Sequence, residues 1–218
     1  MSEQIVVILL VVATAIATGS CRSMGEHGAE IVQPGAPGDA SRVISAERAS
    51  DLSGVRYTAA DVRFMQGMIG HHAQALEMAG LLPARSARED MRLLAQRIEV
   101  SQADEIRMME EWLQRRGQTL PDPHAHHAPG ATLMPGMLTA EEMRVLADAK
   151  GALFDQLFLE LMIKHHEGAL TMVAELFSVP GAGQESEMFA FASDVDADQR
   201  MEIDRMTAML VKPKELWR

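Results

Sequence analysis

Asp61-Val-Arg-Phe64-Met-Gln-Gly-Met68-Ile-Gly-His71-His72-Ala-Gln-Ala75-Leu-Glu-Met78 occurs twice in this chain. The second copy is Asp155-Gln-Leu-Phe158-Leu-Glu-Leu-Met162-Ile-Lys-His165-His166-Glu-Gly-Ala169-Leu-Thr-Met172, at a constant shift of 155 minus 61, or 94 residues. Asp, Phe, Met, Ile, His, His, Ala and Met recur in step. At about 100° per residue, Asp61, Phe64, Met65, Met68, His71, His72, Ala75, Met78, Ala79 and Leu82 fall on one helical face. Arg63, Gln66, Gln74 and Glu77 are expected to point away. Both histidines of a pair therefore straddle the inward stripe.

Outward from this repeat, Thr58-Ala-Ala-Asp61 has the form of a capping box that starts the helix, and Pro83 ends it. Ser86, with Glu89 three residues on, is expected to open a second helix that Gly117 stops. The short connection implies an antiparallel hairpin, with residues whose numbers sum to about 170 at equal height, such as Gln102 with Met68 and Glu99 with His71. Residues 118–138 then break the pattern with a turn-rich crossover carrying His124, His126, His127 and Met134-Pro-Gly-Met137. Thr139-Ala-Glu-Glu142 opens a short helix that Gly151 interrupts, and the helix with the second His pair runs from about Ala152 to Phe177. The last helix, about Gln184 to Val211, carries Gln199 and Glu202, which match Gln102 and Glu105 at a shift of 97 residues. The expected fold is all-α: a four-helix bundle over 57–211 built from two repeated antiparallel hairpins, 57–117 and 139–211.

Composition narrows the function. A formal net charge of -11 opposes nucleic-acid binding, which needs a basic face, and favours cations as partners. The chain has 17 methionines but a single cysteine, Cys21, so neither an intramolecular disulfide nor a CxxC zinc site can form. Ile5 to Ala17 is an apolar run too short for an ordinary membrane span, followed by the small residues Thr18-Gly19-Ser20 and then Cys21. Residues 1–21 thus resemble an export signal, with Cys21 as a candidate lipidation site that would anchor the chain to a membrane. Residues 22–56, rich in Gly, Pro, Ala and Ser, read as a linker. The expected location is the periplasm or cell envelope.

Met68 lies one turn before His71 and His72, and Met162 one turn before His165 and His166, so thioethers and imidazoles are neighbours. That mixture suits Cu(I), Ag(I) or Cu(II), because thioether sulfur is too weak a donor for hard cations. A di-iron carboxylate bundle needs Glu three residues before a histidine, where this chain has Met68, Ile69, Met162 and Ile163. Iron or manganese redox chemistry is thus the secondary expectation. A metal-free bundle with hydrogen-bonded core histidines is the third. Asp61 and Asp155 are read as helix-start charges or partners that orient a histidine. Gln102, Glu105, Gln199 and Glu202 are read as interhelical hydrogen-bonding groups that can stand behind a ligand.

The pattern Asp-x-x-Phe-x-x-x-Met-Ile-x-His-His-x-x-Ala-x-x-Met, then Gln-x-x-Glu-Ile-x-x-Met, then Met-Pro-Gly-Met and a second His-His helix, resembles the bacterial "domain of unknown function 305" family over about residues 57 to 211. The resemblance implies a ferritin-like fold and an exported copper-binding protein; sequestration or delivery of metal without catalytic turnover is the first functional expectation. By position it makes His71, His72, Met68, Met78, His165, His166, Met162 and Met172 candidate copper ligands. His124, His126, His127, Met134 and Met137 become candidate accessory ligands.

Overall fold

The computed structural model describes residues 30–33, 40–51, 55–128 and 130–211. The expected signal segment and Cys21 lie outside them. Two compact units divide at Asp51 and Leu52. In the first, β1 (Ile31–Gln33) pairs antiparallel with β2 (Arg42–Ile44), with Val32 opposite Val43. A single-turn helix α1 (Ala46–Ser50) follows, capped by the Ser45 side chain, which accepts from the Arg48 amide. These short strands fall in the stretch read as linker; the described residues are otherwise mostly helical.

The second unit is built from α2 (Ala59–Gly80), α3 (Glu89–Arg115), the short α4 (Ala140–Asp148), α5 (Gly151–Ser178) and α6 (Ser186–Val211). Helix α2 packs on α3, α5 packs on α6, and the two pairs meet through α2 and α5. Among the described residues no helix is long and apolar enough to cross a membrane.

Local chemistry accounts for most helix ends. Two of the three expected capping boxes form: Thr58 with Asp61 at α2, and Thr139 with Glu142 at α4. Ser86 does not start α3. Leu82–Ala84 forms a 3-10 turn whose Leu82 carbonyl accepts from the amides of Arg85 and Ser86, which keeps Ser86 in the turn. Helix α3 then begins three residues later, with Arg88 as an N-cap whose side chain makes no capping bond and donates instead to Asp90. Gly117, at φ 65°, provides the left-handed residue that follows α3.

Asp61 and Asp155 tie the two hairpins together at opposite ends. The Oδ2 of Asp61 accepts from the Thr58 amide at 2.6 Å, and its Oδ1 accepts from the Gly183 amide at 2.7 Å, in the turn between α5 and α6. Asp155 lies 3.9 Å from the guanidinium of Arg88, at the turn between α2 and α3. Asp61 lies in the first turn of α2, whereas Asp155 is the fifth residue of α5 and outside its first turn; among the described residues neither makes a hydrogen bond to a histidine. Replacing Asp61 with Ala would remove a cap and leave the buried Gly183 amide unpaired. A loss of about 2–4 kcal/mol in urea unfolding is expected; a change below about 0.5 kcal/mol would show that Asp61 carries no such tie.

Candidate metal centre

The four paired histidines lie in the interior where α2 crosses α5: each is at most 1% exposed. The ring centroids of His71 and His165 are 3.8 Å apart, so the two copies of the repeat face one another at this point. The helices run antiparallel there. Met68 shares one apolar cluster with Met172, and Met78 shares another with Met162, so the imidazoles form a polar layer between two methionine-bearing cores. Met68, Met78, Met162 and Met172 are all buried.

The outer histidine of each pair reaches across its own hairpin to a carboxylate. His72 Nε2 is 2.5 Å from Glu105 Oε2, and His166 Nε2 is 2.6 Å from Glu202 Oε2. These are the interhelical bonds expected of Glu105 and Glu202. The register differs from expectation, however, because His72 pairs with Glu105 where a sum of about 170 would place a residue near 98. Helical side chains lean toward their own N-terminus, so in an antiparallel pair the tips meet when the backbone positions are offset. Gln102 and Gln199 are also buried, and Gln102 Oε1 has no hydrogen-bond partner.

The crossover completes the layer. The Pro135 carbonyl lies 3.0 Å from His71 Nε2, and Gln74, expected to point outward, is buried and holds the same loop. Its amide donates to the Leu138 carbonyl at 2.9 Å, and its Oε1 accepts from the Leu138 amide at 2.6 Å. On the other side the loop lies against α5 at Gly168, where a Cβ would come within 2.0 Å of the Pro135 oxygen. Met137 is buried, whereas Met134 is 38% exposed and, like Met172, lies over Gly67.

These bonds select a tautomer. A carbonyl can only accept, and an ionised carboxylate can only accept, so Nε2 of His71, His72 and His166 carries the proton and donates. Nδ1 of each is left with a lone pair, and each is buried without a hydrogen-bond partner. Neither nitrogen of His165 makes a well-formed hydrogen bond, although the backbone of His71 lies near enough to favour the charged ring slightly. Five unpaired imidazole nitrogens in one layer carry a substantial desolvation cost. A histidine that donates one nitrogen to a carboxylate or carbonyl and keeps the other for a cation is the usual arrangement around a bound metal. The donor set therefore fits a nitrogen-binding, soft or borderline ion.

Electrostatics agree. Burial pushes the His71 imidazole down to about 3, and the neighbouring His72 adds to this, opposed in part by the Pro135 bond. Burial and then His71 likewise hold His165 well below its ordinary value. Both rings are thus neutral and able to bind a cation near neutral pH. The unfolded chain binds these protons near pH 6.5 and the folded one resists, so their stabilising contribution is complete above about 6.5 and declines on acidification. The expected slope for each histidine rises from about 0.7 kcal/mol per pH unit near pH 6.5 to about 1.3 near pH 5. Urea unfolding across that window should show it, and a profile that is flat for the wild type would contradict it.

Between α3 and α6 a cleft of about 330 Å³, lined by Asp104, Glu105, Asp194 and Asp198 among others, opens beside the His72–Glu105 pair. Burial and the nearby Glu105 and Glu202 raise the Asp198 carboxyl, which shows how closely the acidic groups gather here.

The His124, His126 and His127 tract lies apart from this layer, on Glu77 of α2, another residue expected to point away. Burial alone would raise the Glu77 carboxyl, but bonds from His127 and His124 hold it below its ordinary range. Sequence periodicity missed Gln74 and Glu77 because they face a loop and not a helix. The exchange of Gln74 for Gly168 between the two copies was the available signal that something asymmetric lies between them.

A crystal structure of a DUF305 fragment from Deinococcus radiodurans is similar to this chain: 33% identity, TM-score 0.63, covering 72% of this chain and 99% of that one. A DUF305 protein from Streptomyces coelicolor, predicted to be secreted, matches at 30% identity and TM-score 0.59, over 70% of this chain and 91% of its own. CopM in the Cu(II)-bound form matches at 25% identity and TM-score 0.58, over 72% and 97%. CopM in the Cu(I)-bound form also matches at 25% identity, with TM-score 0.56, over 75% and 100%. No protein of curated function matches. Residues 61–210 match the domain of unknown function DUF305, and the chain belongs to that family.

Proposed function

We propose that this protein is an exported copper-binding protein that sequesters or passes on Cu(I) in the cell envelope, without turnover. In this reading residues 57–211 form a ferritin-like four-helix bundle of two repeated hairpins. Residues 1–21 direct export, residues 22–56 connect the two, and Cys21 is the point of lipid attachment. His71, His72, His165 and His166 supply nitrogen to the metal, and Met68, Met78, Met162 and Met172 supply sulfur on either side. Met134 and Met137 contribute from the crossover, and Glu105 and Glu202 hold His72 and His166 in the binding tautomer. Support comes from the similarity to CopM, which binds Cu(I) and Cu(II) in its solved structures. The observation that carries the reading is the set of buried, unpartnered imidazole nitrogens where the two copies meet.

The test is a Cu(I) titration of the folded protein against a chelator of known affinity. The wild type should compete, and a variant with His71, His72, His165 and His166 all replaced by Ala should not. Equal competition by both, or by neither, would overturn the proposal.

A second reading, a ferritin-like iron or manganese redox protein, is favoured by the carboxylates of Glu105 and Glu202 at the histidine layer. Both already accept from histidines, which leaves them behind the metal and not on it. Metal analysis of protein purified without added metal separates the two readings.

A further inference from the structure

The loop histidines form a site of their own. Glu77 Oε1 lies 2.8 Å from His124 Nδ1, 2.9 Å from His127 Nε2 and 3.6 Å from His126 Nε2. Among the described residues, Glu77, His126 and His127 are the one group of three His, Cys, Asp or Glu donors that lie within 4.8 Å of one another. The rings of His126 and His127 are 4.1 Å apart, and those of His124 and His127 are 5.9 Å apart.

His126 decides what this cluster is for. Its Nδ1 lies 3.2 Å from the Pro123 carbonyl, which can only accept, so in the neutral ring that nitrogen carries the proton. Nε2 then carries a lone pair. It is buried without a hydrogen-bond partner, on a side chain that is 6% exposed, and its neighbour is a carboxylate oxygen. Two electron-rich groups directed at one space repel each other, and a cation between them converts the repulsion to attraction. The Pro123 carbonyl stands where a backbone acceptor orients a metal-bound histidine.

We infer that Glu77, His126 and His127, with His124 as a fourth donor, bind a borderline divalent cation, Zn(II) or Cu(II). Imidazole suits these ions, and the carboxylate favours a doubly charged ion over a soft monovalent one. Small rotations of the exposed His124 and His127 rings bring the donors toward bonds of about 2.1 Å. The site goes beyond the copper reading and gives this tract, expected only as accessory, a cation of its own. It does not depend on the core layer, because it shares no ligand with it.

Calorimetric titration of the folded full chain with Zn(II) tests the assignment, with Cu(I) competition measured in parallel on each variant. One Zn(II) per chain is expected, weakened about tenfold or more in Glu77→Gln, in His126→Ala and in His127→Ala. His127 is 56% exposed at its side chain, so its replacement leaves the fold intact. Cu(I) competition should be unchanged in all three variants. No Zn(II) binding by the wild type would overturn the inference while leaving the copper reading in place. Zn(II) binding that survives these three variants but is lost when the four core histidines are replaced would also overturn it.

Discussion

His165→Leu is expected to raise the stability of the metal-free protein by about 1–3 kcal/mol and to abolish tight copper binding. Its two ring nitrogens are buried without a well-formed hydrogen bond, so an apolar side chain of similar size removes a desolvation cost and at most a weak contact with the His71 backbone. The same change at His72 should have the opposite sign. It would leave the buried Glu105 carboxylate without its partner, at a cost of about 1–3 kcal/mol or more. His71→Leu falls between them, because it relieves an unpaired Nδ1 but deprives the Pro135 carbonyl of its donor. A residue whose removal stabilises the fold and destroys binding is held for its ligand. Urea unfolding of the three metal-free variants, with copper competition on each, checks the order. If His165→Leu destabilises the protein and leaves copper binding unchanged, His165 is a packing residue.

Gly168→Ala should lower stability by about 1–3 kcal/mol. The added Cβ would stand 2.0 Å from the Pro135 oxygen and 2.4 Å from its carbonyl carbon. Both are backbone atoms, so no rotamer change relieves the contact, and the loop must lift from α5. With it goes the acceptor that sets the His71 tautomer, so copper affinity should fall as well. Gly70 is the control: its Cβ would meet only the Pro123 oxygen at 3.7 Å. Gly70→Ala should therefore be neutral or stabilising by up to about 1 kcal/mol, the helix preference for Ala. Thermal unfolding of the two variants compares them; similar melting temperatures would show that the loop does not press on Gly168.

What was legible in the sequence, and what was not, follows from how each feature is encoded. The helices of both hairpins are written in periodic apolar stripes and in capping boxes at Thr58 and Thr139, so their existence and most of their ends could be read. The start of α3 could not, because Ser86 and Glu89 have the spacing of a capping box while the 3-10 turn beside them claims Ser86. The inward direction of His71, His72, His165 and His166 follows from periodicity, and their burial agrees with it. Which copy faces which does not, since periodicity fixes a face but never its partner. The contact of His71 with His165 is a property of the packing of α2 on α5. Periodicity puts Gln74 and Glu77 on the solvent side because the pattern knows only helices, and the crossover that covers them has no period to read.

One shared site made by two copies differs from two separate sites in its copper stoichiometry. Cu(I) held against a competing chelator should be counted for His71→Ala/His72→Ala, which disables the first copy, and for His165→Ala/His166→Ala, which disables the second. With the rings of His71 and His165 in contact, either pair of changes should remove the whole of the tightly held copper. Retention of half the copper by each variant would show two independent sites and contradict the shared centre.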